Sequence, residues 1–403
     1  MIKNEHIGKK RFWTLCCLKG WLAERLLLIA YLFFIALLLS SDNTKLTNNF
    51  FYLCIMLPAF FILARRQLLP TRPCLLLCCY LSYVALSTFW SNADPGDALK
   101  HLKYVIYILT FTAITQQVMT QPERLKWIAA WGLLIGLIVE AHSLYTLIAS
   151  VGLEAWVRDF PRLDQLTGPL NAIHLPLAIC LFGFILITSQ FHNPWFASAL
   201  VCLLIITIIP LQSRTPIFAL LLAHCFYLFQ LRALLALLVW LGILISGGIF
   251  LVLSIDRFTT EFVRVDIWLN VANSMLEQCS LLVGCGNRFN FDIHVDNFYY
   301  FNPHSIWLSQ FFYGGVAGLL LIFLCAYSLF RKHHQLATHW PPVFLFCIIA
   351  CFPIGHSLLT HPDFIWLLTW FPLALSGMLF RSADSINQAQ QHHEADTNTP
   401  VSV

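Results

Sequence analysis

Apolar runs of about 20 residues, almost free of charge, recur along the whole of this chain and constrain its fold more than any other feature. A helix of that length crosses a hydrocarbon core of ~30 Å. No soluble core buries so many: 59% of the 403 residues are hydrophobic and 11% charged, where roughly 25% charged is usual. The bilayer is therefore the expected solvent. Lipid satisfies no backbone polar group, which leaves helices or a closed barrel. Barrel strands alternate apolar and polar residues, and nothing here alternates that way. The sequence reads as an all-α polytopic membrane protein of about twelve transmembrane helices.

The spans fall at roughly 22–41, 50–64, 74–90, 102–119, 126–150, 169–189, 195–211, 215–231, 233–254, 305–330, 341–357 and 364–380. The basic N-terminus, Arg65, Arg66, Arg72, Arg124, Lys126, Arg232, Arg331, Lys332 and Arg381 all fall on one side of these spans. The excess of Lys and Arg marks that side as cytoplasmic and carries both termini there. The expected organisation is a cytoplasmic N-terminus (1–21), nine helices (22–254), a partly helical exported loop (255–303), three helices (304–380) and a disordered polar tail (381–403). Lys9, Lys10 and Arg11 precede a long span without a small-residue cleavage site, so the first helix is expected to stay as an anchor. The net charge of +4 is spread through the loops and suggests no nucleic-acid partner.

Most of the fourteen cysteines sit inside spans, where thiols act as small apolar residues. Cys279 and Cys285 share the exported loop, which leaves a disulfide open there. Glu140 and His142 lie in the fifth span and His174 in the sixth. Ionisable groups at such depths often mark ion or proton paths, and they carry a transporter reading.

The informative cations are those on the exported side, where the positive-inside pattern makes them rare. Arg257, Lys100 and Lys103 read as residues that snorkel to headgroups or pair with nearby acids. Arg214 differs, because no acid lies within thirty residues of it on either side. Pro216 suits the first turn of the next helix. The turn therefore aims a guanidinium and helix N-terminal N–H groups at the exported face, a combination suited to phosphate. In the long loop, Arg264 and Trp268 stand i, i+4 on a stretch of helical character. Arg264 has Asp266 as a possible local partner, and Arg288 adds a further charge. Asp292, His294 and Asp296 alternate, but a metal site needs more ligands, so they read as a solvated loop.

His304 directly precedes the tenth span, after Asn302-Pro303. The proline keeps the preceding residue extended, so the helix begins at or just after the histidine. An imidazole at the membrane boundary, with an ordinary pKa near ~6.5, is able to take a proton at neutral pH. Alone, such a residue is as well explained by packing.

Together, Ser213-Arg214 at a span start, Arg264…Trp268, and His304 ahead of Gly314-Gly-Val-Ala-Gly318 resemble the O-antigen ligase family. That superfamily also includes O-antigen polymerases and protein O-oligosaccharyltransferases. The detailed resemblance covers about 195–330, with Ser305 standing where Asn is usual, Pro216 where small residues are usual, and Cys285 interrupting a Gly-x-Gly turn. It implies a GT-C-like fold in the bacterial inner membrane with a periplasmic active site. It further implies an undecaprenyl-pyrophosphate-linked glycan as donor and a lipid A–core sugar hydroxyl as acceptor. By motif, Arg214 and Arg264 would hold the donor pyrophosphate and His304 would serve the acceptor, while no motif supports Arg288. Fixed arginines are able to stabilise a pyrophosphate leaving group without metal, so metal-independent, inverting transfer with no cofactor is expected.

Overall fold

The computed structural model describes residues 24–41, 43–66, 68–91, 96–119, 122–154, 174–211, 213–253, 262–287, 289, 293–295, 298–300, 303–333, 340–354, 357–376 and 380–382. Helix α1 (24–40) is followed by α2 (Thr44–Phe50), which passes through a π-helical turn (Phe51–Met56) into α3 (Leu57–Arg66). Then come α4 (Arg72–Leu86) with a 3-10 turn at Ser87–Trp90, α5 (Gly96–Val118), α6 (Pro122–Val151), α7 (His174–Gln190) and α8 (Pro194–Ile208). They are succeeded by α9 (Arg214–Gln230), α10 (Leu234–Leu253), α11 (Phe262–Gln278), α12 (Ile306–His333), α13 (Trp340–Ala350), α14 (Ile365–Leu368) and α15 (Trp370–Leu375). Among the described residues, Arg72–Trp90, Glu123–Val151, Pro194–Leu211 and Ile306–Arg331 are long and apolar enough to cross a membrane. Shorter apolar helices accompany them, the pattern of a membrane protein.

Several boundaries differ from those expected, each for a local reason. The second helix starts at Thr44 because the Asn43 side chain caps it, accepting the Leu46 N–H at 3.0 Å. Helix α13 stops at Ala350, ahead of Phe352-Pro353, since a residue before proline leaves the helical region. The last expected span is broken. Pro372 offers no N–H to the carbonyl four residues back and its ring crowds that carbonyl, and α14 ends there, at Leu368. The structure also contains short strands. β1 (Leu68–Pro70) pairs antiparallel with β4 (Phe380–Ser382), and β2 (Ile293–Val295) with β3 (Phe298–Tyr300). Arg381 and Ser382, expected at the start of a disordered tail, are therefore strand residues; the rest of that tail lies outside the described residues.

The main core is apolar and rich in aromatic rings: Phe34, Phe51, Phe111 and Trp366 are fully buried, and Phe51 meets Trp366 edge-on at 5.4 Å. A second, smaller core sits under α11. Ile267, Val271 and Met275, four residues apart and so on one helix face, pack on Phe312, Tyr313 and Cys285.

Helix α12 is interrupted at Gly315, whose φ of 62° lies in the left-handed region. The interruption lies roughly 14 Å along the helix from its start, at 1.5 Å per residue. Within a bilayer, the freed backbone groups of a broken helix must be satisfied by protein. Here the chain just after α11 does so. Leu281 and Leu282 carbonyls accept the N–H groups of Val316 and Ala317, both at 3.0 Å. The N–H groups of Cys285 and Gly286 reach the carbonyls of Phe312 and Tyr313 at 2.8 and 3.0 Å. The Tyr83 hydroxyl on α4 covers the remainder, at 2.9 Å from the Gly314 carbonyl and 3.1 Å from that of Val283. The loop thus closes the gap in the helix.

A disulfide between Cys279 and Cys285 pinches the base of this loop. Closing so short a loop removes unfolded-state entropy worth about 2 kcal/mol. Cys279→Ser should lower stability by about that amount, read as thermal unfolding of the detergent-purified protein. Reductant added to wild type should do the same. Identical melting in all three samples would show that the clamp contributes nothing.

Candidate active site

His304 is the best-defined of the expected site residues. It is half-buried and takes a φ of 51°, a left-handed conformation uncommon outside glycine but several-fold enriched in histidine. The turn separates Pro303 from α12, which begins at Ile306. Ser305 is buried and caps the helix: its Oγ accepts the Leu308 N–H at 3.4 Å, and its carbonyl accepts the Ser309 N–H at 2.8 Å. Serine and asparagine serve this position equally well, which gives a physical account of Ser305 where asparagine is usual.

Helix α11 contains the Arg264…Trp268 stretch, as expected from its helical character. Trp268 donates its indole N–H to the Pro303 carbonyl at 3.1 Å and meets Phe352 edge-on at 5.3 Å. The helix carrying Arg264 is thereby tied to the residue preceding His304. Arg264 itself lies in the first turn of α11, and its side chain is outside the described residues, as is the whole of Arg288.

Arg214 is exposed at the first position of α9, with Ser213 buried as N-cap and making no side-chain cap hydrogen bond. Pro216 is buried in the first turn. Helix α9 packs along α13, and the residue following α13, Cys351, accepts the Ile306 N–H at 3.2 Å. The α9 helix and the His304 turn are therefore joined through α13.

The segment from Cys351 to Phe364 gathers polar residues that the sequence reading missed. Fully buried Asn287 gives its N–H to Ser87 Oγ at 2.9 Å, and its Oδ1 accepts the Ser357 hydroxyl at 3.3 Å. Next to Ser87, Thr88 contacts buried His101 (Oγ1 to Nδ1, 3.3 Å). His101 leads to Tyr104 at 5.8 Å between rings, and Tyr104 to His361 at 6.3 Å. The one signal available was His361-Pro-Asp363, a polar break between two apolar stretches.

Burial pushes the Asp363 carboxyl up to about 7, although the Ile365 N–H donates to its Oδ1 at 3.0 Å. An unfolded aspartate titrates near ~3.9. Between those values the unfolded chain holds fewer protons than the folded one, so this group's contribution to stability falls as pH rises from about 4 to about 7. Asp363→Asn should flatten that slope in melting curves recorded across this range. An unchanged slope would assign the pH dependence to other groups.

Among the described residues, no three His, Cys, Asp or Glu side chains gather as metal ligands. Asp292 and Asp296 lie outside the described residues, and so does the side chain of His294. Glu140 is buried within α6.

No family model matches the chain. A curated relative named O-antigen ligase, from Pseudomonas aeruginosa strain PAO1, is 28% identical over 348 residues, covering 78% of this chain and 80% of its own.

Proposed function

We propose, on the premise that this relative supports the O-antigen ligase family for the chain, that the protein is itself a membrane O-antigen ligase. It transfers glycan from undecaprenyl pyrophosphate to a sugar hydroxyl of lipid A–core, in the inner membrane of a bacterium. Its helices form a GT-C-like set of twelve spans, with both termini cytoplasmic and the site facing the periplasm. The observation that carries this reading is the Trp268 indole on the Pro303 carbonyl. It joins the Arg264-bearing helix to the His304 turn, two motifs 40 residues apart in sequence.

In this mechanism Arg214, at a helix N-terminus, and Arg264 hold the donor pyrophosphate, with Arg288 adding charge. Their guanidinium groups stabilise the negative charge that grows as the bond from anomeric carbon to pyrophosphate oxygen breaks. His304 accepts the proton of the acceptor hydroxyl as that oxygen attacks from the opposite face, which inverts the anomeric centre. No metal takes part.

The test is surface polysaccharide profiling in a deletion strain complemented at matched membrane levels with wild type, His304→Ala, Arg214→Ala or Glu140→Ala. The ligase reading expects uncapped lipid A–core and polymerised glycan retained on its lipid carrier for the first two variants. Accumulated single lipid-linked repeats would instead make the protein a polymerase. Unchanged lipopolysaccharide with loss of a glycosylated protein would point to protein O-glycosylation. Loss with Glu140→Ala alone would make it a transporter.

A further inference from the structure

Lys103 sits in the second turn of α5, on the side where positively charged residues are rare, and the ligase mechanism makes no use of it. Its ammonium lies 5.5 Å from the ring centre of Tyr52, 6.0 Å from Tyr104 and 5.4 Å from Tyr107. Each distance is within cation–π range. Among the described residues no carboxylate is within salt-bridge distance of it. The side chain is exposed, whereas Tyr107 is buried and Tyr52 and Tyr104 are half-buried. A lysine expected to snorkel or pair with an acid is therefore held in place by aromatic rings.

The surroundings indicate what it meets. On α5 the neighbouring exposed apolar residues are Leu99, Leu102 and Ile106, spaced three and four apart along one face, and Lys100, one turn before Lys103, is exposed as well. Lys103 borders that apolar stripe on one side and the tyrosines on the other. A ligand reaching it from the stripe keeps its own hydrocarbon in the bilayer and presents a polar head at the boundary. Tyr104 in turn contacts His361, in the same segment that begins beside the His304 turn at Cys351. An ammonium is a compact point charge suited to phosphate.

From this arrangement we infer that Lys103, with Tyr52 and Tyr104, forms a binding subsite for a phosphate on a lipid-anchored saccharide substrate. The inference rests on the ligase reading for the nature of the substrate. The phosphate belongs to either the acceptor or the donor, and the two are separable by experiment.

Full-length protein in dodecyl maltoside, free of phospholipid headgroups, is assayed with lipid A–core in its phosphorylated and dephosphorylated forms. Lys103→Gln is expected to raise the KM for phosphorylated acceptor about tenfold, the loss of one charge-assisted contact. The KM for dephosphorylated acceptor should not move, and Lys103→Arg should restore most of the affinity. A tenfold rise in donor KM instead also supports the subsite and assigns the phosphate to the donor. Equal changes with both acceptor forms and an unchanged donor KM, or no change in any KM, would overturn it. If wild type transfers glycan to neither acceptor, the ligase reading fails. Binding of phosphorylated lipid A–core to wild type and Lys103→Gln, followed by tryptophan fluorescence, then decides the inference by itself: equal affinities overturn it.

Discussion

Gly315→Ala should cripple the folded protein, while Gly318→Ala, one helical turn further on, should be nearly silent. At Gly315 an added Cβ would stand 2.5 Å from the Gly284 nitrogen and 2.5 Å from the Leu282 carbonyl oxygen. Both are backbone atoms already hydrogen-bonded, the Leu282 oxygen to the Ala317 N–H across the break in α12 and the Gly284 nitrogen to the Ser280 carbonyl within the loop, so neither is able to move without undoing those bonds. The φ of 62° adds strain of roughly 1–2 kcal/mol for a residue with a Cβ. Steric overlap in a packed site typically contributes another ~1–3 kcal/mol. The sum, about 2–5 kcal/mol, is a large fraction of ordinary protein stability. Gly284→Ala should behave alike, because its Cβ would meet Gly315 nitrogen at 2.5 Å from the other side. At Gly318 the nearest atom is the Tyr83 ring at 3.4 Å, an ordinary contact. Thermal unfolding and monodispersity in detergent separate the cases. A Gly315→Ala protein melting within a degree or two of wild type would mean that the loop does not close the helix as described.

The second large effect is on turnover. His304→Ala should reduce glycan transfer by ~10²–10⁴, the usual contribution of a positioned acid–base group. Donor binding should be largely kept, because the pyrophosphate is assigned to arginines elsewhere. Arg214→Ala should cost ~10²–10³, the range seen when one stabilising donor is removed from a developing charge. The two variants should differ in kind. The histidine variant loses turnover at saturating donor, and the arginine variant also loses donor affinity. Arg214→Lys should recover little, since an ammonium lacks the planar fork that engages a phosphate through two bonds. Transfer within tenfold of wild type in His304→Ala, at matched protein levels, would remove the histidine from the mechanism.

Lipid exposure and helix character were legible in the chain because they depend on local composition. Each apolar stretch needs only its own length and lack of charge to be recognised, and Pro216, Pro303 and Ser213 mark helix starts by the same short-range rules. The helical character of the stretch from Arg264 to Trp268 followed from local sequence alone. The sequence also pointed to a disulfide between Cys279 and Cys285 as open, and tertiary structure closed it.

What depended on distant partners was not legible. Gly284 and Gly315 are ordinary glycines in sequence, one in a turn and one in a helix. Their shared role appears only when the loop meets α12 and each excludes a side chain from the other. Ser305 looked like a departure until its oxygen was seen capping α12. Asn287, Ser87 and Ser357 are individually unremarked polar residues, and only the fold makes them neighbours. Lys103 read as one more interfacial cation, because cation–π contact with Tyr52 joins helices some fifty residues apart. Sequence by itself determined that this protein is built of apolar helices suited to a membrane. Tertiary structure decided which polar groups meet, because a hydrogen bond or a steric exclusion acts over about 3 Å and has no fixed separation along the chain.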